Sequence, residues 1–254
     1  MSINLVSDVE LQQARLSITS HEISKLSYGT VRDYCGSYDL FPKLATYNGD
    51  LKDQQRCWML KSILATVPIG SKIVEIGAGE PIVADILGRL GYSVVVVDPY
   101  EGAGNGPIAV EQFKSMYSHV DYIVDWFSTR LKRIGEKSID CCYSISVLEH
   151  IPFDAYPEVA KAVRLFTKPE GKIIHTLDCV TAGAGAEYHA QMIKMVADEL
   201  LGAQVNTEEM LRKAANDTDT YYLSAEAHNG WRGNTPYDDF PMRKCISVQM
   251  AAEA

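Results

Sequence analysis

Val74-Glu75-Ile76-Gly77-Ala78-Gly79-Glu80-Pro81 decides the fold of this 254-residue chain. A short β-rich run ends in Gly-Ala-Gly, and a helical pattern from Ile82 to Leu90 follows at once. Glycine lacks a Cβ, so the backbone can bend sharply there and approach a ligand closely. The helix that starts behind Pro81 offers unpaired N–H groups to a carboxylate or hydroxyl. Strand, glycine turn and helix make the first half of a βαβ unit, and the sequence on either side continues the alternation. Further β-rich runs lie at Ser93 to Val97, Asp121 to Trp126, Ile139 to Ser144 and Lys172 to Leu177. Helical patterns separate them at Ala109 to Met116, Ser128 to Ile134 and Tyr156 to Phe166. Such alternation implies an α/β fold with a doubly wound, mostly parallel sheet. Ser93 to Val97 is apolar after its first residue, which predicts cover on both faces and a place at the sheet's centre.

The first seventy residues read differently. Asp8 to Ser24 and Lys52 to Thr66 are helical in pattern, joined by a tyrosine-rich segment with Gly36, Pro42 and Gly49 and without an evident strand. This divides the chain into a helical extension or lid over 1–70 and a Rossmann-like domain over 71–254. Within the second part, 183–224 returns to helical periodicity, with Met192, Met195, Val196 and Leu200 on one stripe, as an inserted pair of helices. A loop rich in Gly, Pro and Asp from Asn229 to Pro241 precedes a last strand, Arg243 to Met250.

Composition narrows the function. A net charge of -9 and the lack of a basic run argue against a nucleic-acid surface, because neutralising phosphates takes clustered Lys and Arg. No stretch approaches the ~20 apolar residues that cross a bilayer, so no membrane partner is expected. Met1-Ser2-Ile3-Asn4-Leu5 has no charged start followed by an apolar run, which points to the cytoplasm. Cys35, Cys57, Cys141, Cys142, Cys179 and Cys245 mostly sit in apolar runs and are expected to be reduced core thiols. Cys141 and Cys142, adjacent on a strand, should face opposite sides, and no metal site is predicted.

The next strand after the glycine turn ends at Asp98, about twenty residues on, where a carboxylate meets ribose hydroxyls in nucleoside cofactors. That geometry suits NAD and S-adenosylmethionine alike. The turn Gly77-Ala78-Gly79-Glu80-Pro81-Ile82 lacks the third glycine of the dinucleotide fingerprint and opens its helix with proline, so a pyrophosphate is less well served.

With these motifs the chain resembles the class I S-adenosylmethionine-dependent methyltransferases over roughly residues 70 to 178. The resemblance implies a seven-stranded Rossmann-like sheet and S-adenosyl-L-methionine as cofactor. It implies that Glu75, Gly77, Ala78 and Gly79 lie around the methionine moiety and that Asp98, followed by Pro99, takes the ribose hydroxyls. Asp125 and Trp126 match positions beside adenine. Ser146-Val147-Leu148-Glu149-His150-Ile151 is similar to the stretch that lines the cofactor and the active-site mouth. Lys168-Pro169-Glu170-Gly171-Lys172 looks like the family's turn into the fifth strand.

In a doubly wound sheet the acceptor binds beyond the carboxyl ends of the strands. His150 is the first choice there for a base, since imidazole accepts protons near neutral pH. Asp178 would act as a base or orient one. Glu149 reads as structural and His175, inside a strand, as packed. His189 belongs to the substrate-side insertion. His228, Trp231 and Arg232 fall in a polar, aromatic loop suited to holding a sugar or an anionic group. Tyr47-Asn48-Gly49-Asp50 with Gln55 and Arg56 has the composition of a lid, with Arg56 paired either to the cofactor carboxylate or, as favoured here, to Asp53 or another neighbour on its own helix. The expected reaction is methyl transfer to a small polar acceptor, foremost the oxygen of a sugar or other metabolite. Other readings are transfer to the nitrogen of a small amine in an aromatic pocket of Tyr221, Tyr222 and Trp231, a NAD-type oxidoreductase, or a silent binding module. The oligomeric state is open, a homodimer included.

Overall fold

The computed structural model describes residues 4–18, 23–102, 108, 110–183, 185–202, 205–222 and 244–254. Five strands pair in parallel: β2 (Lys72–Ile76), β3 (Ser93–Val97), β4 (Asp121–Ile123), β5 (Ile139–Ile145) and β6 (Thr167–Val180). The last strand, β7 (Cys245–Glu253), runs antiparallel to β6, from Lys172 opposite Glu253 to Val180 opposite Cys245. Beyond it lies β1 (Leu26–Tyr28), antiparallel to β7 and therefore parallel to the rest. The order β1-β7-β6-β5-β2-β3-β4 makes the seven-stranded, mostly parallel sheet that the methyltransferase resemblance implies.

The edge strand β1 comes from the segment expected to be helical. Three residues are too few to show a period of two, and its partners Met250, Gln249 and Val248 lie at the far end of the chain. The same segment holds a further helix, α2 (Val31–Leu40), between α1 (Asp8–Ser17) and α3 (Leu51–Thr66). Thr30 caps α2 in a reciprocal box with Asp33, and Gly36 sits within it where a Cβ would meet nothing within 4 Å. Residues 128–134, expected to be a helix, form turns. Thr129 gives its N–H and hydroxyl to Glu158 of α6 (Tyr156–Phe166), and this tertiary contact replaces helical bonding. Strand β4 stops at Ile123, not Trp126, because the Asp125 N–H turns back to the Ile123 carbonyl. Strand β3 has cover on both faces, as its composition demanded, yet stands next to the edge strand β4; the middle of the seven is β5.

The pleat sorts the core into two layers. Ile73, Val94, Val96, Cys141, Tyr143 and Ile174 pack on one face with α1, α3 and α4 (Ile82–Arg89). Val74, Ile76, Cys142 and Ile173 pack on the other with α6, α7 (Ala186–Leu201) and α8 (Thr207–Asn216). Cys141 and Cys142 thus point to opposite sides. All six cysteines are free thiols, but Cys35 is exposed on α2 rather than in the core, because that short helix turns part of its surface to water. Helix α5 (Val110–Met116) follows β3. No described helix is long and apolar enough to cross a membrane.

Helix α3 shapes the site most. Twelve of its residues are buried, among them Asp53, Gln54, Gln55, Arg56 and Lys61. A helix that buries polar residues must satisfy them against its neighbours; its first turns do so in part, Asp53 on the Asn48 and Gly49 N–H groups and Gln55 Nε2 on Asp178 at the end of β6. On the opposite flank, α4 passes so close to the loop before β4 that a Cβ on Gly88 would stand 2.1 Å from the His119 carbonyl oxygen. Gly88→Ala should therefore lower stability by about 1–3 kcal/mol, about 2–4 °C of Tm for each kcal/mol, read in a thermal melt. An unchanged Tm would show that the loop yields without cost.

Candidate cofactor and acceptor site

Strand β2 delivers Ile76 to a turn whose glycines both have positive φ, 64° at Gly77 and 55° at Gly79. Gly77 donates its N–H to the Val97 carbonyl (2.8 Å), and a Cβ on it would sit 2.6 Å from Val147 Cγ1. The turn is thus seated against the exit of β5, and only glycine fits. Pro81 caps α4 without a side-chain bond of its own, and the Ala84 N–H of the first turn is taken by the buried Glu75 carboxyl. Ala78 lies between the glycines, half-buried.

Asp98, at the end of β3, ties two loops together. Its Oδ2 accepts from the Gly79 N–H (2.9 Å) and its Oδ1 from the Tyr100 N–H (2.7 Å), across the half-buried Pro99. Each carboxylate oxygen keeps a second acceptor position, which is what a pair of ribose hydroxyls requires. Past β4, Val124 and Trp126 are 50% and 53% exposed and offer an open apolar shelf. Asp125, also exposed, takes the Trp126 N–H on its carboxylate (2.8 Å).

Glu75 lies lower, beneath the turn and facing the layer of α4. It is buried and accepts from the Tyr143 hydroxyl (2.9 Å); burial pushes its carboxyl up to about 8. Its neighbour in chemistry, Glu80, is held by the hydroxyls of Tyr117 (2.5 Å) and Tyr47 (3.2 Å), so the N-terminal segment reaches the glycine turn directly.

A second group gathers where β5 and β6 end. Ser146 has a positive φ of 52°, a conformation that costs a non-glycine residue about 1–3 kcal/mol and is met at functional sites. Its N–H goes to the Thr176 carbonyl (2.8 Å) and its hydroxyl to Asp178 Oδ2 (3.1 Å). Asp178 Oδ1 accepts from Gln55 Nε2 of α3 (2.8 Å), and the Asp178 N–H goes to Glu149 Oε1 (2.8 Å). Glu149, on the 3-10 turn Leu148–His150, is buried, and burial beside the Asp178 charge drives its carboxyl upward. His150 is exposed at the outer end of that turn. His189, half-buried on α7, has Nδ1 2.9 Å from the Asp178 carbonyl oxygen. A carbonyl only accepts, so Nδ1 carries the proton and the neutral ring keeps a lone pair on Nε2.

Arg56 forms an ion pair with Asp53 (3.5 Å), bonds Asn48 Oδ1 and lies over the Tyr47 ring, the neighbourly pairing its spacing predicts. His175 is fully buried against the Ser144 hydroxyl and lowered to about 3 by burial, hence a neutral packed residue. His228, Trp231 and Arg232 lie outside the described residues. Among the described residues no three His, Cys, Asp or Glu side chains are arranged to hold a metal ion. Gln55 and His189 gain their importance from the fold. Gln55 stood out only as part of a polar run, and nothing local in the sequence ties His189 to Asp178.

Residues 39–225, most of the chain, match the family described as a methyltransferase domain. The chain belongs to this methyltransferase family. Its cofactor is S-adenosylmethionine, which the glycine turn packed on Val147 and the bridging Asp98 carboxylate fit. The methyltransferase is 27% identical over 133 residues to a ubiquinone biosynthesis O-methyltransferase of Nitrosococcus oceani, matching 49% of this chain and 53% of that one. It thus spans about half the length of that relative. A protein of the same description from Pseudomonas aeruginosa is 24% identical over 186 residues, 61% of this chain and 77% of its own. Among solved structures, a SAM-dependent methyltransferase from Aquifex aeolicus aligns with a TM-score of 0.47 at 10% identity, over 77% of this chain and 88% of that chain. Haemonchus contortus phosphoethanolamine N-methyltransferase 2 in complex with S-adenosyl-L-methionine aligns at 0.46 and 17% identity, over 77% and 52%.

The raised carboxyl of Glu75 has a measurable effect. In the folded methyltransferase it keeps its proton to about pH 8, whereas unfolded it does so only to its ordinary 4.5. Its contribution to stability is therefore full below 4.5 and declines as pH rises towards about 8. Glu75→Gln should remove that decline: the gap in Tm between pH 5.5 and 8.5, about those two values in any buffer pair, narrows relative to the parent. An unchanged gap would place the titration on other groups.

Proposed function

We propose that the methyltransferase transfers the methyl group of S-adenosylmethionine to an oxygen of a small polar acceptor, a sugar or a metabolite of similar polarity. Glu75, the Gly77–Gly79 turn, Ser146 and Val147 surround the methionine portion in this reading. Asp98 and Pro99 hold the ribose side, and Asp125 and Trp126 flank the adenine. Bound there, the cofactor supplies an electrophilic methyl on a sulfonium, and the protein's share is to align the acceptor and exclude water. The observation that carries the acceptor's position is the group around Asp178, which stands beside Val147 and so beside the glycine turn. The names of the two O-methyltransferase relatives support oxygen as the atom methylated.

The acceptor hydroxyl gives its proton to His189 Nε2 while the C–O bond forms and the C–S bond breaks, leaving neutral S-adenosylhomocysteine. Asp178 orients that base through its carbonyl. The loop with His228, Trp231 and Arg232 is proposed to cover the acceptor.

Titration calorimetry tests the cofactor site. S-adenosylhomocysteine should bind and NADH should not, and Asp98→Ala should weaken binding by about tenfold to a hundredfold, the worth of a charge-assisted hydrogen bond or two. Preference for NADH would overturn the reading. Turnover of an acceptor returned by a screen of sugars and other small hydroxylated metabolites tests the base. His189→Ala should lose about a hundredfold in kcat and His150→Ala less than about threefold. The reverse order would make His150 the base.

A further inference from the structure

The wall around Asp178 leaves buried acceptor atoms without donors. Asp50 Oδ2, Gln55 Oε1 and Glu149 Oε2 have no hydrogen-bond partner among the described residues. The three residues are only 4%, 0% and 3% exposed. They belong to one group: Gln55 donates to Asp178 Oδ1, Glu149 accepts from the Asp178 N–H, and the charge of Asp178 acts on Asp50. Because Gln55 Nε2 is fixed on Asp178, the other atom of the same amide, Oε1, is held in the cluster too. A buried acceptor left without a donor costs about 1–3 kcal/mol; Gln55 Oε1 is such an atom, and the raised carboxyls of Asp50 and Glu149 join it as acceptors once they give up their protons as a cation binds.

The donors that reach Asp178 are spent on it, while the hydroxyls of Ser247, opposite Asp178 across β6 and β7, and of Thr176 are buried without a partner among the described residues. Gln55 Nε2 and the Ser146 hydroxyl both point to Asp178, and Arg56 is turned to Asp53, Asn48 and the Tyr47 ring. An anion would be repelled. An ammonium group has three donors and no acceptor, which is the complement of such a wall. The rings of Tyr34 and Tyr221 stack nearby, centroids 4.9 Å apart, with Asp50 and Asp53 acting on Tyr221; aromatic faces add attraction for a cation. Burial and repulsion between neighbouring carboxylates raise both Asp50 and Glu149, and a cation bound between them reverses that repulsion.

We propose that Asp50, Gln55, Glu149 and Asp178 anchor the acceptor through a protonated amine, so that the acceptor is a small hydroxylated primary amine. This rests on the methyl-transfer reading above and adds the class of its substrate. The amine serves as the handle, and the hydroxyl is the group presented to the methyl.

The full chain, labelled with 15N and saturated with S-adenosylhomocysteine, is titrated with 2-aminoethanol while the Gln55 side-chain amide and the Asp178 backbone amide are followed by NMR. Ethylene glycol and glycolate are the neutral and anionic comparators. Saturable shifts with 2-aminoethanol are expected, with affinity at least about tenfold above that for ethylene glycol, the scale of one charge-assisted bond, and none with glycolate. Asp50→Asn and Glu149→Gln should each weaken the amine about fivefold or more while leaving S-adenosylhomocysteine affinity unchanged. Equal response to ethylene glycol, or no response to the amine, overturns the anchor. So does a parallel loss of S-adenosylhomocysteine in the variants, which would assign the wall to the cofactor's own ammonium. A parent chain that fails to bind S-adenosylhomocysteine overturns the methyl-transfer reading itself.

Discussion

The contact on which the site depends is the seating of Gly77 against Val147. Two parallel strands, β2 and β5, leave the sheet side by side, and their exits must bend away without colliding. The β2 exit does so with a glycine that has no side chain to collide, the β5 exit with a serine held in a left-handed conformation. The bend brings the cofactor turn and the Asp178 group within one side chain of each other. Asp98 then closes the other flank by bonding Gly79 and Tyr100 together. A bulkier residue at Gly77 would push these two halves of the site apart before it touched any ligand.

Helix α3 supplies the third side. Its first turn is polar and buried at once, an arrangement that is costly unless each group finds a partner. Asp53 takes the Asn48 and Gly49 N–H groups, Arg56 takes Asp53 and Asn48, and Gln55 reaches Asp178. The N-terminal segment therefore does two things: it completes the sheet through β1 and walls the crevice through α3.

Much of this was legible in the residues. The glycine turn, Asp98, the helices before β3 and β6 and the opposed faces of Cys141 and Cys142 follow from local chemistry and period. Other features have causes that no window of sequence contains. Strand β1 exists because β7 offers it an edge, and residues 128–134 form turns where Glu158 takes both donors of Thr129. The proton on His189 Nδ1 is set by a carbonyl eleven residues away in sequence and adjacent only in the fold. Trp126 and Asp125 could be placed beyond a strand, but the extent of their exposure is a property of the folded surface.

Strand β1 bears on how the molecule comes into being. Leu26 pairs with Met250, so the first strand of the sheet has nothing to pair with until a partner more than two hundred residues later has been made. Contacts this distant in sequence are slow to form and tend to be laid down late. The parallel strands from β2 to β6 can assemble as the chain emerges, with the cofactor turn already among them. The contact of α3 with Asp178, tied to the segment that β1 secures, is then the last part to settle. The glycine turn of a nascent chain would then be in place before Gln55 of α3 could reach Asp178.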